Sequence, residues 1–141
     1  ADNAYTEKIR TLIQQTGLQQ HIHICGSVNE REFNQLHKQA DLFIFVNIDQ
    51  SWGLAVFEAM SCGLPVLVST SVGATEILKD RTNTLFVDPT DSRTIATEII
   101  HLMQDRTLYE SISSEAKKLP KQYTWNNAYS SQMLNLLMHT V

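Results

Sequence analysis

Two hydrogen-bonding side chains eight positions apart, Gln50 and Glu58, bracket the stretch of this sequence where chemistry is most concentrated. Between them runs Ser51-Trp52-Gly53-Leu54, and from Ser51 to Thr75 the only charged residue is Glu58. Its neighbours Leu54, Ala55, Val56, Phe57, Ala59 and Met60 make a helix that is apolar nearly all round, so it is expected to be buried. A buried carboxylate is costly unless something pairs with it or hydrogen-bonds it. Spacing weighs two readings equally: Glu58 pairs with a neighbouring helix or reaches solvent, or it meets a ligand. Gly53 at the helix start lets a backbone approach closely, and the free N–H groups and dipole of a helix N-terminus bind phosphate. With Gln50 in the preceding loop and Glu58 a turn or so into the helix, the two can face one ligand. A polar loop residue and a helix-start glycine are also common where nothing binds.

The elements that must position these residues alternate between helix period and short apolar runs. Ile9, Leu12 and Ile13 sit at helical spacing within residues 4 to 16, and Gly17 stops that helix. His21-Ile22-His23-Ile24-Cys25 alternates its aliphatic residues before Gly26 and reads as a strand. Asn29 or Glu30 opens a polar helix carrying Phe33, Leu36 and Ala40. It leads into Leu42-Phe43-Ile44-Phe45-Val46, five apolar residues that do not alternate, as expected of a strand covered on both faces. Pro65 to Val68 and, more weakly, Thr84 to Val87 repeat that pattern, with short helices at Gly53 to Cys62 and Gly73 to Leu78 between them. Helix following strand in this way implies right-handed crossovers and a doubly wound parallel sheet with helices on both faces. In such sheets ligands lie beyond the carboxyl ends of the strands, and the strand 42 to 46 points that end at the loop 49 to 53.

After Asp88-Pro89-Thr90-Asp91, a turn and an N-cap, Ile95, Ile99, Leu102 and Met103 share one helix face. Two more helices are predicted at about 107 to 118 and 125 to 139, separated by Pro120 and a Tyr123-Thr124-Trp125 corner. Tyr123, Trp125 and Tyr129 are expected to pack the last helix onto the body. With no internal repeat and no Gly/Ser linker, residues 1–141 are read as one domain.

Composition narrows the function classes. The chain has 141 residues, 43% of them hydrophobic and 18% charged, which is a core-bearing composition rather than a disordered one. Fifteen acidic against eleven basic residues argue against holding nucleic acid by counterion release. No apolar run approaches the roughly 18 residues of a membrane helix, and no basic-then-apolar leader opens the sequence. Cys25 and Cys62 lie far apart in apolar surroundings with no CxxC, and no Asn-x-Ser/Thr acceptor occurs. A reducing, cytoplasmic home is the expectation.

Taken together, Asp41 to Phe45, Gln50 to Leu54 and Glu58-Ala59-Met60-Ser61-Cys62-Gly63-Leu64-Pro65-Val66 resemble the donor-binding half of the group 1 retaining glycosyltransferases of GT-B fold. The resemblance runs over nearly the whole chain. Gly26 resembles the family's glycine after its third strand, Val72-Gly73-Ala74-Thr75-Glu76 its Gly-Gly-x-x-Glu segment, and Val87-Asp88-Pro89 its next turn. The family's signature is a Glu-x7-Glu pair, whose first Glu meets the donor sugar and whose second holds the nucleotide ribose. Glu58 matches the second position, and Gln50 stands at the first. A carboxylate only accepts hydrogen bonds and stabilises positive charge developing at an oxocarbenium-like transition state, whereas an amide also donates and is neutral. Gln50 can still orient a sugar, or it can mark altered donor choice or lost activity. Trp52 stands where the family usually has Phe, and the resemblance directs the backbone amides of Trp52, Gly53 and Leu54 toward sugar or diphosphate.

The resemblance implies an incomplete Rossmann-like GT-B C-terminal domain. The family's N-terminal acceptor domain and its Gly-Arg and Lys diphosphate clamp have no counterpart here, so a fragment, a truncated product or a chain completed by a partner is expected. In the family's strand order 3-2-1-4-5-6, the segment 21 to 25 then lacks the two strands that separate it from 42 to 46. The implied function is donor binding, without metal or other cofactor, in transfer of a hexosyl group from a nucleoside diphosphate sugar to a hydroxyl acceptor. The isolated chain is expected to be inactive. The implied donor-binding residues are Gln50, Ser51, Trp52, Gly53, Leu54, Glu58, Gly26, Gly73 and Glu76, with Gln50 also the catalytic position. A degenerate non-catalytic nucleotide-sugar-binding or assembly module is the alternative, and a nucleotide-sugar epimerase of the same fold is a third reading.

Other features carry less. His21 and His23 share an H-x-H spacing, but no carboxylate or Cys completes a metal set, and His37, His101 and His139 are isolated. Lys117, Lys118 and Lys121 read first as a solvated face and second as a peripheral membrane contact. Glu76, away from the resemblance, is a carboxylate favoured by a helix N-terminal dipole.

Overall fold

A computed structural model of the chain describes residues 3–48 and 52–123. The chain forms two compact units, Ala1–Phe33 and Asn34–Val141. In the first, helix α1 spans Asn3–Gln15 and buries Ile13. Asn29 and Glu32 form a reciprocal capping box at the start of α2, Glu30–Gln39: the Glu32 N–H donates to Asn29 Oδ1 and the Asn29 N–H donates to Glu32 Oε2, both at 3.0 Å. The strand expected at His21 to Cys25 does not form. All five residues are exposed and carry no ladder among the described residues, because a strand exists only through a lateral partner. Cys25 is therefore exposed, as is Cys62, contrary to the apolar surroundings expected of them.

The second unit is built on a parallel sheet of order β1-β2-β3, with β1 at Phe43–Phe45, β2 at Val66–Ser69 and β3 at Leu85–Val87. Phe43 pairs with Val66, and Leu67 with Leu85, so β2 is hydrogen-bonded on both sides. All four of its residues are buried. The pleat sends Val66 and Val68 to one face, where they meet Val56, Ala59 and Met60 of α3 (Leu54–Ser61) together with Ala116 and Leu119. It sends Leu67 to the other, with Leu85, Val87, Leu102 of α4 (Ser92–Gln104) and Ile112 of α5 (Arg106–Ala116). Helices thus cover both faces, which is the Rossmann-like arrangement the sequence pattern implies.

β1 lies at the edge of the described sheet, and its Ile44 is exposed rather than covered on both faces as its unbroken apolar run implied. In α2 the buried side chain is His37, stacked on Phe43 at 5.6 Å, whereas Leu36 is exposed. On α4, Ile95, Ile99 and Leu102 face the core and Met103 does not, since it falls past the edge of that stripe. Asp91 caps α4 by accepting from the Arg93 and Thr94 N–H groups, and Asp105 caps α5 through the Leu108 N–H. The Thr94 side chain also donates to Asp91, and these bonds hold the Asp91 carboxyl below its ordinary value. Pro120 does not interrupt the chain. It falls in the first turn of a short helix, α6 (Leu119–Gln122), where a missing N–H costs nothing. Tyr109 Oη donates to the Asp41 carbonyl at 2.9 Å, tying α5 to the approach to β1, and burial pushes its phenol up. Tyr123 is exposed, and the helix expected at 125 to 139, with Trp125 and Tyr129, lies outside the described residues.

Candidate functional site

The carboxyl ends of β1 and β2 lie side by side, since Phe45 pairs with Val68. The chain leaving β1 returns to the sheet at Gly53, the N-cap of α3. Gly53 has φ 74° and ψ 55°, a left-handed conformation that side chains disfavour. It is also buried: a Cβ there would lie 3.0 Å from the Phe45 ring and 3.0 Å from Val72 Cγ1. Glycine is therefore required twice over, by the turn and by the contact. Gly53 offers no side chain to cap α3; the Val56 N–H donates to the Gly53 carbonyl at 2.9 Å, and among the described residues no side chain caps the helix start.

α3 is not buried all round. Val56, Ala59 and Met60 are fully buried, while Leu54, Glu58 and Ser61 form an exposed stripe at helical spacing. Glu58 is exposed, a placement compatible with a solvent-reaching or a ligand-meeting carboxylate, and among the described residues it forms no ion pair. Leu54 is 71% exposed and Trp52 is 47% exposed, Trp52 packing edge-on against Phe57 at 6.0 Å. An exposed carboxylate, an exposed aromatic ring and the helix-start amides thus lie within the first turns of α3 and the residue before its cap. Such a set can bind a ligand with hydroxyls and an anionic group.

The second contributing segment follows β2. Gly73–Glu76 is a single 3-10 turn rather than the longer helix expected to Leu78, with Gly73 half-buried and Glu76 exposed. Contact between Gly53 and Val72 brings this turn against the start of α3. Gly26 belongs to the other unit, where it has φ 66° and open space around it. Gln50 and Ser51 lie outside the described residues.

Sequence inspection passed over three residues here. Ser69 Oγ donates to the Asn47 carbonyl at 2.5 Å, and Ser71 Oγ donates to the same oxygen at 2.9 Å. Ser69 is fully buried. A run of hydroxyl side chains at the carboxyl end of an apolar strand was the available signal. His21 and His23 are exposed, and among the described residues no group of three or more His, Cys, Asp or Glu side chains could hold a metal. Lys117, Lys118 and Lys121 are exposed, with Lys118 paired to Glu115. No helix among the described residues is long and apolar enough to cross a membrane.

Comparison with known proteins bears on what this site belongs to. An O-antigen chain mannosyltransferase B of Escherichia coli is 30% identical over 114 residues, 81% of this chain and 29% of its own length. An uncharacterized glycosyltransferase of Methanocaldococcus jannaschii is 31% identical over 120 residues, 84% of this chain and 31% of its own length. The chain therefore spans less than a third of the length of these two relatives. Among solved structures, the C-terminal domain of a glycosyl transferase group 1 family protein from Francisella tularensis superposes with TM-score 0.79 at 23% identity, covering 86% of this chain and 63% of that one. An Anabaena protein solved in complex with UDP superposes with TM-score 0.84 at 23% identity, covering 98% of this chain and 38% of that one. These superpositions establish the fold. The sequence model of the family described as "Glycosyl transferases group 1" matches residues 2–119, and the chain belongs to that family.

Proposed function

We propose that this chain is the part of a retaining, metal-independent glycosyltransferase that binds a nucleoside diphosphate sugar, the intact enzyme passing a hexosyl group to a hydroxyl acceptor. The observation that carries the reading is the exposed stripe of α3: Glu58 stands on the open side of a helix whose start at Gly53 is fixed at the carboxyl ends of β1 and β2. A carboxylate there can accept from both hydroxyls of a ribose, and the amides of Gly53 and Leu54 can meet sugar or diphosphate oxygens. Trp52 flanks them, Ser51 and Gln50 meet the sugar, and Gly73 and Glu76 line the neighbouring turn, with Gly26 assigned through the family pattern alone. Titration of the chain with UDP, GDP and their common sugar conjugates tests this. Micromolar to millimolar binding that weakens about 10- to 100-fold in Glu58→Ala is expected, and equal binding by that variant overturns the ribose role.

A second reading has one specific residue in its favour. Gln50 cannot supply the negative charge that stabilises an oxocarbenium-like transition state. A chain carrying it can act as a nucleotide-sugar-binding or assembly module without transfer. The isolated chain is expected to transfer no sugar on either reading, and Gln50→Glu in the intact protein separates them: a rise in transfer favours a tuned or disabled site, and no change favours the module.

A further inference from the structure

We propose that Ser69, Ser71 and Val72, at the end of β2 and in the turn after it, form a brace that holds Asn47 and Gly53 and so positions the start of α3 and the Gly73 turn for the donor sugar. This rests on the donor-binding reading above. One foot is Asn47, whose carbonyl oxygen accepts from Ser69 Oγ at 2.5 Å and from Ser71 Oγ at 2.9 Å, occupying both lone pairs. Ser69 is buried, so its hydroxyl has no water to fall back on. The other foot is Gly53, pressed between the Phe45 ring and Val72 Cγ1. Val72 is 1% exposed and cannot move away without opening the core it belongs to. Three positions of one short segment, 69, 71 and 72, therefore touch the chain where it leaves the sheet and where it enters α3.

The brace also makes two ligand segments into one body. The backbone that holds Asn47 and Gly53 continues directly into Gly73–Glu76, whose own start is tightened by the Thr75 Oγ1 bond to the Val72 carbonyl at 2.8 Å. The start of α3 and the Gly73 turn are then set by the same three residues. α3 is anchored through Val56, Ala59 and Met60, in one cluster with Val72. Loss of the Ser69 and Ser71 hydroxyls, which leaves that cluster in place, therefore acts on the sugar and spares the ribose. Ser69, Ser71 and Val72 are positioning residues, since none of them needs to touch the ligand.

The test has two arms on the full chain. In the first, without nucleotide, 5-fluorotryptophan labelling gives one fluorine resonance each for Trp52 and Trp125, the two tryptophans of the sequence, assigned with Trp52→Phe. Removing both hydroxyls in Ser69→Ala/Ser71→Ala is expected to shift or broaden the Trp52 resonance and leave that of Trp125 in place, while Ser71→Thr, which keeps a hydroxyl, retains the native signal. An unmoved Trp52 resonance in the double variant overturns the brace. In the second arm, affinities for UDP and UDP-glucose, and for GDP and GDP-mannose, are measured in parallel. The double variant is expected to lose about tenfold for the sugar conjugate and less than twofold for the matching diphosphate. Parallel loss of both overturns the positioning role. If the native chain binds none of the four, the donor-binding reading fails, and the first arm still decides the brace.

Discussion

Val66–Ser69 and residues 22–25 are both short segments rich in aliphatic side chains, yet every residue of the one is buried and every residue of the other is exposed. The difference is lateral. β2 has a hydrogen-bonded neighbour on each side and helices on both faces, whereas residues 22–25 have no ladder among the described residues. Apolar side chains supply the driving force for burial, but a strand needs its backbone groups satisfied before that force can be collected. Ile22 and Ile24 remain 42% and 41% exposed for this reason.

The contrast can be tested by paired substitutions. Leu67→Ala removes a fully buried side chain from the middle of β2 and is expected to cost about 2–5 kcal/mol in urea unfolding, whereas Ile24→Ala stays within about 0.5 kcal/mol. Equal costs would mean that residues 22–25 are packed after all. Two of the left-handed glycines give a second pair. At Gly53 a methyl meets Phe45 and Val72 as well as a disfavoured φ, so Gly53→Ala is expected to cost about 2–4 kcal/mol. At Gly26 nothing lies within 4 Å, and Gly26→Ala is expected to cost only the conformational strain, about 1 kcal/mol.

Smaller stability effects come from the exposed features of the well-packed unit. Glu58→Ala should change its unfolding free energy by less than about 0.5 kcal/mol while lowering nucleotide affinity about 10- to 100-fold by titration. A large stability loss would show that Glu58 is a structural partner instead. The pH dependence is the gentlest probe. Asp91 is held below its ordinary value of 3.8 by bonds from Thr94 and Arg93. A depressed folded-state value means that its contribution is complete above the unfolded value and is lost as pH falls through the folded one. Acid titration of unfolding should therefore show a decline below about pH 4 that is flattened in Asp91→Asn, with Asp88, lowered by Thr90, adding to it.

These placements were unevenly legible in the amino-acid order. The unbroken run at 65 to 68 announced a strand covered on both faces, and Asp91 before a periodic stretch announced a capped helix. The orientation of α3 was not legible. An eight-residue helix with one charge looks apolar all round, and only the position of β2 decides that Val56, Ala59 and Met60 turn inward while Leu54 and Glu58 turn out. The hydroxyls on Asn47 were hidden for a different reason. Their partner lies 22 and 24 positions away in sequence, and no local period records such a bond. His37 in place of Leu36 as the inward residue of α2 is a third case, since a stacked ring on Phe43 outweighs simple hydrophobicity there.

The strand order carries a consequence for the chain as it is synthesised. β1 pairs only with β2 among the described strands, and Phe43 waits for Val66, which leaves the ribosome about twenty residues later. At translation speeds of about 5–20 residues per second, that interval lasts on the order of one to four seconds. Phe43, Ile44 and Phe45 spend it without the β2 ladder. A nascent chain that has made β1 but not β2 therefore leaves the β2-facing edge of β1 open, and the appearance of β2 is the event that closes it.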